Sequence, residues 1–327
     1  MKVIITGPPL VPQAMEEFRL NGAQVQAMPP YSDPGEFSTQ VDDMQFDAVI
    51  VRTGRFTGDL IEASPELKVI AKHGVGVDNI DLKAATEKGI PVLIGAGASV
   101  QSVAEHTLAM ILALMKNLLI QNERVRKGHW DKSTYNGIEF AGKHLGLVGY
   151  GHVARRLARL VKPFSVTITV YDPYLAEDKR LDGVQQVMCL NELLSVVDVV
   201  SLHCPLTDET RNIIGTEAFN LMKPTALLIN TARGGLIDEA ALLRALQKEQ
   251  IMGAGLDTFG NEPTHADNPL WESSRLVVTP HVAGITGESN HRMGMKTVDN
   301  VLRFLRDGSY DLVCLANPEV LPRRQES

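Results

Sequence analysis

The run Leu145-Gly-Leu-Val-Gly149-Tyr-Gly151-His-Val-Ala154 constrains this chain more than any other stretch. A strand-like apolar segment breaks at a glycine-rich turn and continues into a helix start, in the pattern G-x-G-x-x-A. Gly149 permits the tight turn, Gly151 lets a pyrophosphate approach the backbone, and Ala154 lets the helix pack close to the strand. The helix start offers unpaired N–H groups and a partial positive charge to phosphate oxygens. Alone the pattern is a weak signal. Its context strengthens it, because a second strand-like run, Thr167-Ile-Thr-Val-Tyr171, ends in Asp172, 23 residues past Gly149. A carboxylate there accepts from the ribose diol of NAD and repels the 2′-phosphate of NADP. NAD is therefore the expected cofactor.

Such a turn works inside alternating strands and helices, and the chain has two series of them. In the first hundred residues the expected strands are Val3–Thr6, Gln24–Met28, Ala48–Arg52, Val69–Lys72 and Val92–Ile94. Between them lie helical stretches at Pro12–Asn21, Glu36–Met44, Gly58–Ser64 and Asp81–Lys88. A long helix is expected from Ser99 to Lys116, with Ser102 and Glu105 at capping-box spacing or Ser99 as the cap. Polar, glycine-containing sequence from Arg124 to Lys143 reads as a surface excursion. The second series has expected strands at Leu145–Val148, Thr167–Tyr171, Val199–His203, Ala226–Asn230, Gly253–Leu256 and Leu276–Thr279. Helices fill its gaps, notably His152–Val161 and Glu239–Lys248, and a last helix is expected from His291 to Arg306. Strands apolar on both faces, alternating with helices, specify α/β architecture with parallel sheets.

With 327 residues, 44% apolar and 22% charged, the chain can build two ordinary globular domains. Its net charge of −7 argues against a nucleic-acid or acidic-membrane partner, since phosphate binding needs a basic field. The longest apolar run, Leu108 to Met115, falls far short of the roughly 20 residues that span a bilayer. Three cysteines, Cys189, Cys204 and Cys314, are far apart and lack metal-ligand spacing, so neither a disulfide framework nor a metal site is expected. The start runs directly into a strand-like segment, and a cytoplasmic location with reduced thiols is expected.

Three expected strand ends in the second series carry chemistry-bearing residues. Asn230-Thr-Ala-Arg233-Gly-Gly235 offers Arg233, Leu256-Asp257-Thr-Phe-Gly-Asn-Glu262 offers Asp257 and Glu262, and Thr279-Pro-His281 offers His281. Each alone has an ordinary reading, as a cap, a solvated loop residue or a polar surface group. Together they follow successive strands of a nucleotide-binding series, and ligands of open α/β sheets bind beyond the carboxyl ends of strands. Reducing a keto acid requires a group that holds the carboxylate, one that moves a proton and one that tunes it. Arginine, histidine and a carboxylate suit these tasks.

These segments resemble those of the D-isomer-specific 2-hydroxyacid dehydrogenases, a family that includes D-3-phosphoglycerate dehydrogenases. The resemblance covers nearly the whole chain. It implies a Rossmann cofactor domain (residues 99–290) inserted into a flavodoxin-like substrate domain (residues 1–98 plus 291–327), both doubly wound parallel sheets. It implies a homodimer and an active site in the cleft. Arg233 would bind the substrate carboxylate and carbonyl, His281 would be the acid/base, and Glu262 would pair with it. The nucleotide loop would use Gly149, Tyr150, Gly151, His152 and Val153, with Asp172 on the ribose. His203, Cys204, Pro205 and Thr210 would lie under the nicotinamide ribose, with Thr231, Ala232 and Gly284 nearby and Asp257 on the carboxamide. In Lys72-His-Gly-Val-Gly76-Val-Asp78-Asn79, the backbone of Val75 and Gly76 would grip the carboxylate.

Arg52, Arg55, Lys72 and Lys132 match places where phosphoglycerate dehydrogenases carry basic residues, with Lys72 and Lys132 standing where some of them carry arginine. Of these, Arg52 and Lys72 are the expected substrate contacts. Lysine is a poorer bidentate phosphate ligand. The expected activity is hydride transfer between nicotinamide and C2 of a small D-2-hydroxy acid, with 3-phosphoglycerate a candidate. The alternatives are a hydroxypyruvate or glyoxylate reductase and an NAD-sensing scaffold resembling transcriptional corepressors.

Overall fold

Every position of the segment Ala48–Val51 is buried, as a strand covered on both faces requires. It is the central strand of the first of two compact units that the chain forms, residues Met1–Ser99 with Ile285–Ser327 and residues Val100–Gly284. A computed structural model describes residues 1–29, 45–175 and 183–321. The expected helix Glu36–Met44 lies outside the described residues.

In the first unit, β1 (Lys2–Thr6), β2 (Gln24–Ala27), β3 (Ala48–Val51), β4 (Val69–Lys72) and β5 (Val92–Ile94) pair in parallel, in the order β2-β1-β3-β4-β5. The order reverses between β1 and β3, which makes their carboxyl ends a switch point. Helices α1 (Pro12–Leu20), α2 (Gly58–Glu62) and α3 (Leu82–Glu87) connect these strands. The C-terminal helix, Gly287–Asp307, returns to this unit and packs Val298, Val301 and Leu302 with Val3, Ile5 and Phe18. It starts four residues before the expected His291, because Thr286 caps it by accepting from Ser289 N at 3.0 Å. Asn317 then ties the chain's tail to β5 by accepting from Val92 N at 2.8 Å and donating to Ile90 O at 3.0 Å.

The second unit opens with α4 (Val100–Met115) and α5 (Leu118–Arg126). Ser102 is buried inside α4, and Glu105 accepts from Gln101, so the capping box read from Ser102 and Glu105 does not form. The helix begins just after Ser99. Helix α5 takes up part of the expected surface excursion and buries none of its residues. Strands β6 (His144–Val148), β7 (Thr167–Tyr171), β8 (Val184–Val187), β9 (Val199–Leu202), β10 (Leu227–Asn230), β11 (Gly253–Leu256) and β12 (Leu276–Val278) pair in parallel, in the order β12-β11-β10-β9-β6-β7-β8. This is a doubly wound order with its reversal between β6 and β9. Helices α6 (His152–Val161), α7 (Leu190–Val196), α8 (Thr216–Leu221) and α9 (Glu239–Gln247) complete the unit. Strand β8 was not expected, since its half-buried Val-Gln-Gln-Val sequence lacks an apolar run.

Candidate active site

All strands of the second sheet run in parallel, so the segments following β6, β7, β9, β10, β11 and β12 emerge at one edge. The glycine turn lies at the switch point. Gly149 has φ +88°, and a Cβ there would come within 2.8–2.9 Å of the backbone of His203 and Cys204. Only glycine lets the turn after β6 lie against the loop after β9. Gly151 starts α6 with no side-chain cap, leaving the first-turn N–H groups of His152 and Val153 facing the turn. Asp172 accepts from Tyr150 N at 2.8 Å and from Tyr174 N at 3.0 Å, which fixes the acid against the turn. The Tyr150 ring is buried beneath the Arg155 guanidinium, 4.5 Å from its centroid, so this residue presents backbone rather than side chain.

The loop after β9 is built from internal bonds. The His203 ring sits 2.9 Å from Ser201 Oγ, and burial lowers its pKa to about 4, so it is neutral. Burial pushes the Cys204 thiol up to about 11, which removes it as a nucleophile at neutral pH. The Thr210 hydroxyl donates to Pro205 O at 2.7 Å and accepts from Thr207 N at 2.7 Å, closing the turn. Pro205 is exposed at its tip.

Arg233 stands three residues past the end of β10. Asn230, fully buried, holds that loop by donating to Arg233 O at 2.8 Å and accepting from Ala232 N at 3.0 Å. Thr231 lies 2.9 Å from Thr107 of α4. A Cβ on Gly234 would sit 1.9 Å from the carbonyl carbon of Phe259, so the loops after β10 and β11 touch backbone to backbone. That contact brings Glu262 near Arg233.

Glu262 accepts from Phe259 N at 2.9 Å through one oxygen and pairs with His281 Nδ1 at 2.7 Å through the other. Burial pushes its carboxyl up. The bonds from His281 and Phe259, with the charges of His281 and Arg233, outweigh burial and hold it below the ordinary range. His281 has φ +54°, in the left-handed region. Asp257, fully buried, accepts from Thr279 Oγ1 at 2.5 Å, Val282 N at 2.9 Å and Ala283 N at 2.9 Å, so its carboxylate is engaged by the His281 loop. Gly284 ends that loop and the unit.

The first unit carries its own polar cluster at the carboxyl ends of β3 and β4. Arg52 Nη1 donates to the carbonyls of Pro8 and Pro9, at 2.5 and 2.7 Å, across the switch point. Lys72 Nζ donates to Asn79 Oδ1 at 2.9 Å. The loop after it exposes Val75 and carries Gly76, with Gly74 at φ +158°. His73 was not singled out from the sequence. Burial, aided by the charges of Arg52 and Lys72, lowers its pKa to about 4, and its buried Nε2 has no hydrogen-bond partner among the described residues. Arg55 and Lys132 are exposed. Also unread in the sequence were His106 of α4, 3.0 Å from Thr279 Oγ1, and Thr279 itself. A single histidine within an apolar helix has no spacing that marks it. Among the described residues no cluster of three metal-ligating side chains occurs, and no single helix is long and apolar enough to cross a membrane.

Residues 108–283 match the model of the D-isomer specific 2-hydroxyacid dehydrogenase family, NAD binding domain. The chain is 42% identical over 262 residues to a D-3-phosphoglycerate dehydrogenase of Methanocaldococcus jannaschii, a match covering 80% of this chain and 50% of that protein. It is 43% identical over 260 residues to an (S)-sulfolactate dehydrogenase of Chromohalobacter salexigens, covering 79% of this chain and 84% of the other. The phosphoglycerate dehydrogenases it matches are longer, and it spans about half their length. A glyoxylate reductase from Paecilomyes thermophila superposes with a TM-score of 0.86 at 29% identity, covering 97% of this chain and 98% of that one. A dinucleotide turn, an acid fixed at the next strand end and an arginine–glutamate–histidine set on one sheet edge agree with these likenesses: the chain belongs to the D-isomer specific 2-hydroxyacid dehydrogenase family, with an NAD-binding domain at residues 108–283.

Proposed function

We propose that this protein is an NAD-dependent dehydrogenase that transfers a hydride between nicotinamide and C2 of a small D-2-hydroxy acid bearing a second acidic group on C3. The observation that carries the reading is the Glu262–His281 pair at 2.7 Å, with the Arg233 charge acting on Glu262. The turn from Gly149 to Val153 would hold the pyrophosphate, and Asp172 the adenosine ribose. Gly149's missing Cβ and the uncapped start of α6 are the features that fit such a ligand. The bound nicotinamide supplies or accepts the hydride. His281 then gives its proton to the C2 oxygen in reduction and takes it in oxidation, with Nδ1 held by Glu262. Arg233 pairs with the substrate carboxylate and polarises the C2 oxygen.

The first unit, residues 1–99 with 285–327, serves as the substrate domain in this reading. The backbone at Val75 and Gly76 suits an anion, with the basic Arg52 and Lys72 at the ends of β3 and β4 to suit a second one. A phosphoglycerate and a sulfolactate both have that second acid. The three cysteines are unpaired, which supports a cytoplasmic location. The apolar side chains exposed around α5, Leu118, Leu119 and Val125, with Trp130 79% exposed, support a homodimer built on this face. The test is NADH oxidation against 3-phosphohydroxypyruvate, 3-sulfopyruvate, hydroxypyruvate and glyoxylate. The reading expects the two substrates with a second acid to have the higher kcat/KM. Preference for glyoxylate would overturn the second acid. NADH-dependent capture of a protein partner without turnover of any keto acid would overturn the enzyme.

A further inference from the structure

We propose that His106, acting through Thr279, is a positioning residue that holds the His281 loop in its working shape. The proposal rests on reading His281 as the acid/base. Three consecutive N–H groups wrap around Asp257: His281 N donates to its carbonyl oxygen at 2.7 Å, Val282 N to Oδ1 and Ala283 N to Oδ2. The wrap puts His281 at φ +54°. A residue other than glycine in that region is strained and keeps the conformation only where neighbours over-determine the backbone. The anchor is therefore the Asp257 carboxylate, and its orientation decides where His281 points.

Proton bookkeeping assigns His106 its part. Thr279 has one hydroxyl proton, and it goes to Asp257 Oδ1 at 2.5 Å. The contact of 3.0 Å between Thr279 Oγ1 and His106 Nε2 then has only one polarity, with the ring donating and the hydroxyl accepting. His106 Nε2 lies 3.8 Å from Asp257 Oδ1, beyond a direct hydrogen bond, so the threonine is the link. The chain of donors runs from His106 to Thr279 to Asp257, whose oxygens collect the loop N–H groups. The next residue on the helix, Thr107, has a parallel task. Its own proton goes to Val103 O at 2.8 Å, so it accepts from Thr231 at 2.9 Å in the loop that presents Arg233. Adjacent residues of one rigid helix thus tether both catalytic loops.

The experiment uses His106→Leu, which removes the donor, and His106→Gln, which keeps an N–H at similar reach. Thr279→Val and Thr279→Ser make the same contrast at the link. The leucine and valine variants are expected to lose about 10–100-fold in kcat, the scale of a misplaced catalytic group, with NADH binding by fluorescence held within about twofold. Glutamine and serine should recover most of the loss. The double variant His106→Leu/Thr279→Val should be no worse than the weaker single, since both cut one chain. The 15N shifts of the His281 ring in unliganded protein should move in His106→Leu and return in His106→Gln. Wild-type kcat with unmoved ring shifts in His106→Leu overturns the proposal, as does multiplication of the two losses. A fall in kcat that comes with lost NADH binding and lower Tm, unrescued by glutamine, also overturns it and leaves a structural role. If the wild type turns over no keto acid, the functional reading fails, and the ring shifts still decide the positioning.

Discussion

At Glu262 burial and pairing pull in opposite directions, and pairing wins. The carboxyl is held below its ordinary range, so the contribution of its ionised form is complete above the unfolded value of about 4.3 and is lost as pH falls through the lower folded value. Glu262 therefore stays ionised through the neutral range and takes up its proton only in acid. Glu262→Gln keeps the size and a hydrogen bond but deletes the charge that favours the protonated ring. The alkaline limb of the kcat/KM profile for reduction should move to lower pH, while oxidation, which uses the neutral ring, suffers less. A limb that stays in place removes Glu262 as an electrostatic partner. His281→Ala should cost about 10²–10⁴ in rate, the usual yield of a positioned proton donor. At Asp172 the expected result is a strong preference for NAD over NADP in kcat/KM, narrowed in Asp172→Ala. Equal use of both cofactors by the wild type would disqualify the acid as the discriminator. The residue types at these sites were readable from strand ends. Their pairing was implied by the family resemblance and not by spacing, because Glu262 and His281 are 19 residues apart and meet only when two loops fold onto each other.

Where two loops meet, the spacing between elements is set by glycines that no side chain can replace. Gly234 abuts the Phe259 carbonyl, and both are backbone that cannot swing aside. Gly234→Ala should cost about 3 kcal/mol or more, the upper end for overpacking, and lower Tm by several degrees with a fall in kcat, since Arg233 moves with it. Gly287, at the start of the C-terminal helix, has nothing within 4 Å of a built Cβ. Gly287→Ala should be neutral or stabilising by up to about 1 kcal/mol. Thermal melts of the two variants read the contrast, and equal Tm values would refute the packing account. Elements with strong local signals, such as β3 and α6, were evident from periodicity and the glycine turn. Helix α5 was not expected, and its last residues, Arg124–Arg126, fell in the expected excursion, because it buries none of its residues and so lacks the apolar stripe by which a helix is recognised.

On the scale of the whole molecule, the exposed apolar side chains of α5 are the feature a lone chain leaves unexplained. With Leu119 53% and Val125 52% exposed, substitution of both by glutamate should convert a dimer to a monomer in light scattering, without loss of the second unit's fold by circular dichroism. A wild type that is already monomeric would count against the homodimer. The amino-acid sequence determined, through alternating apolar runs and the G-x-G-x-x-A turn, that there would be parallel sheets, a dinucleotide site and an arginine, a glutamate and a histidine beyond strand ends. Those are local signals, legible because each depends on neighbours within a few positions. Tertiary structure alone decided that α4 reaches the His281 loop through His106 and Thr279, 173 positions apart, and that Asp257 turns its carboxylate onto the loop beside it. No spacing rule carries that information, since a buried hydrogen bond between distant segments is selected by the packing of the elements that bring its partners together.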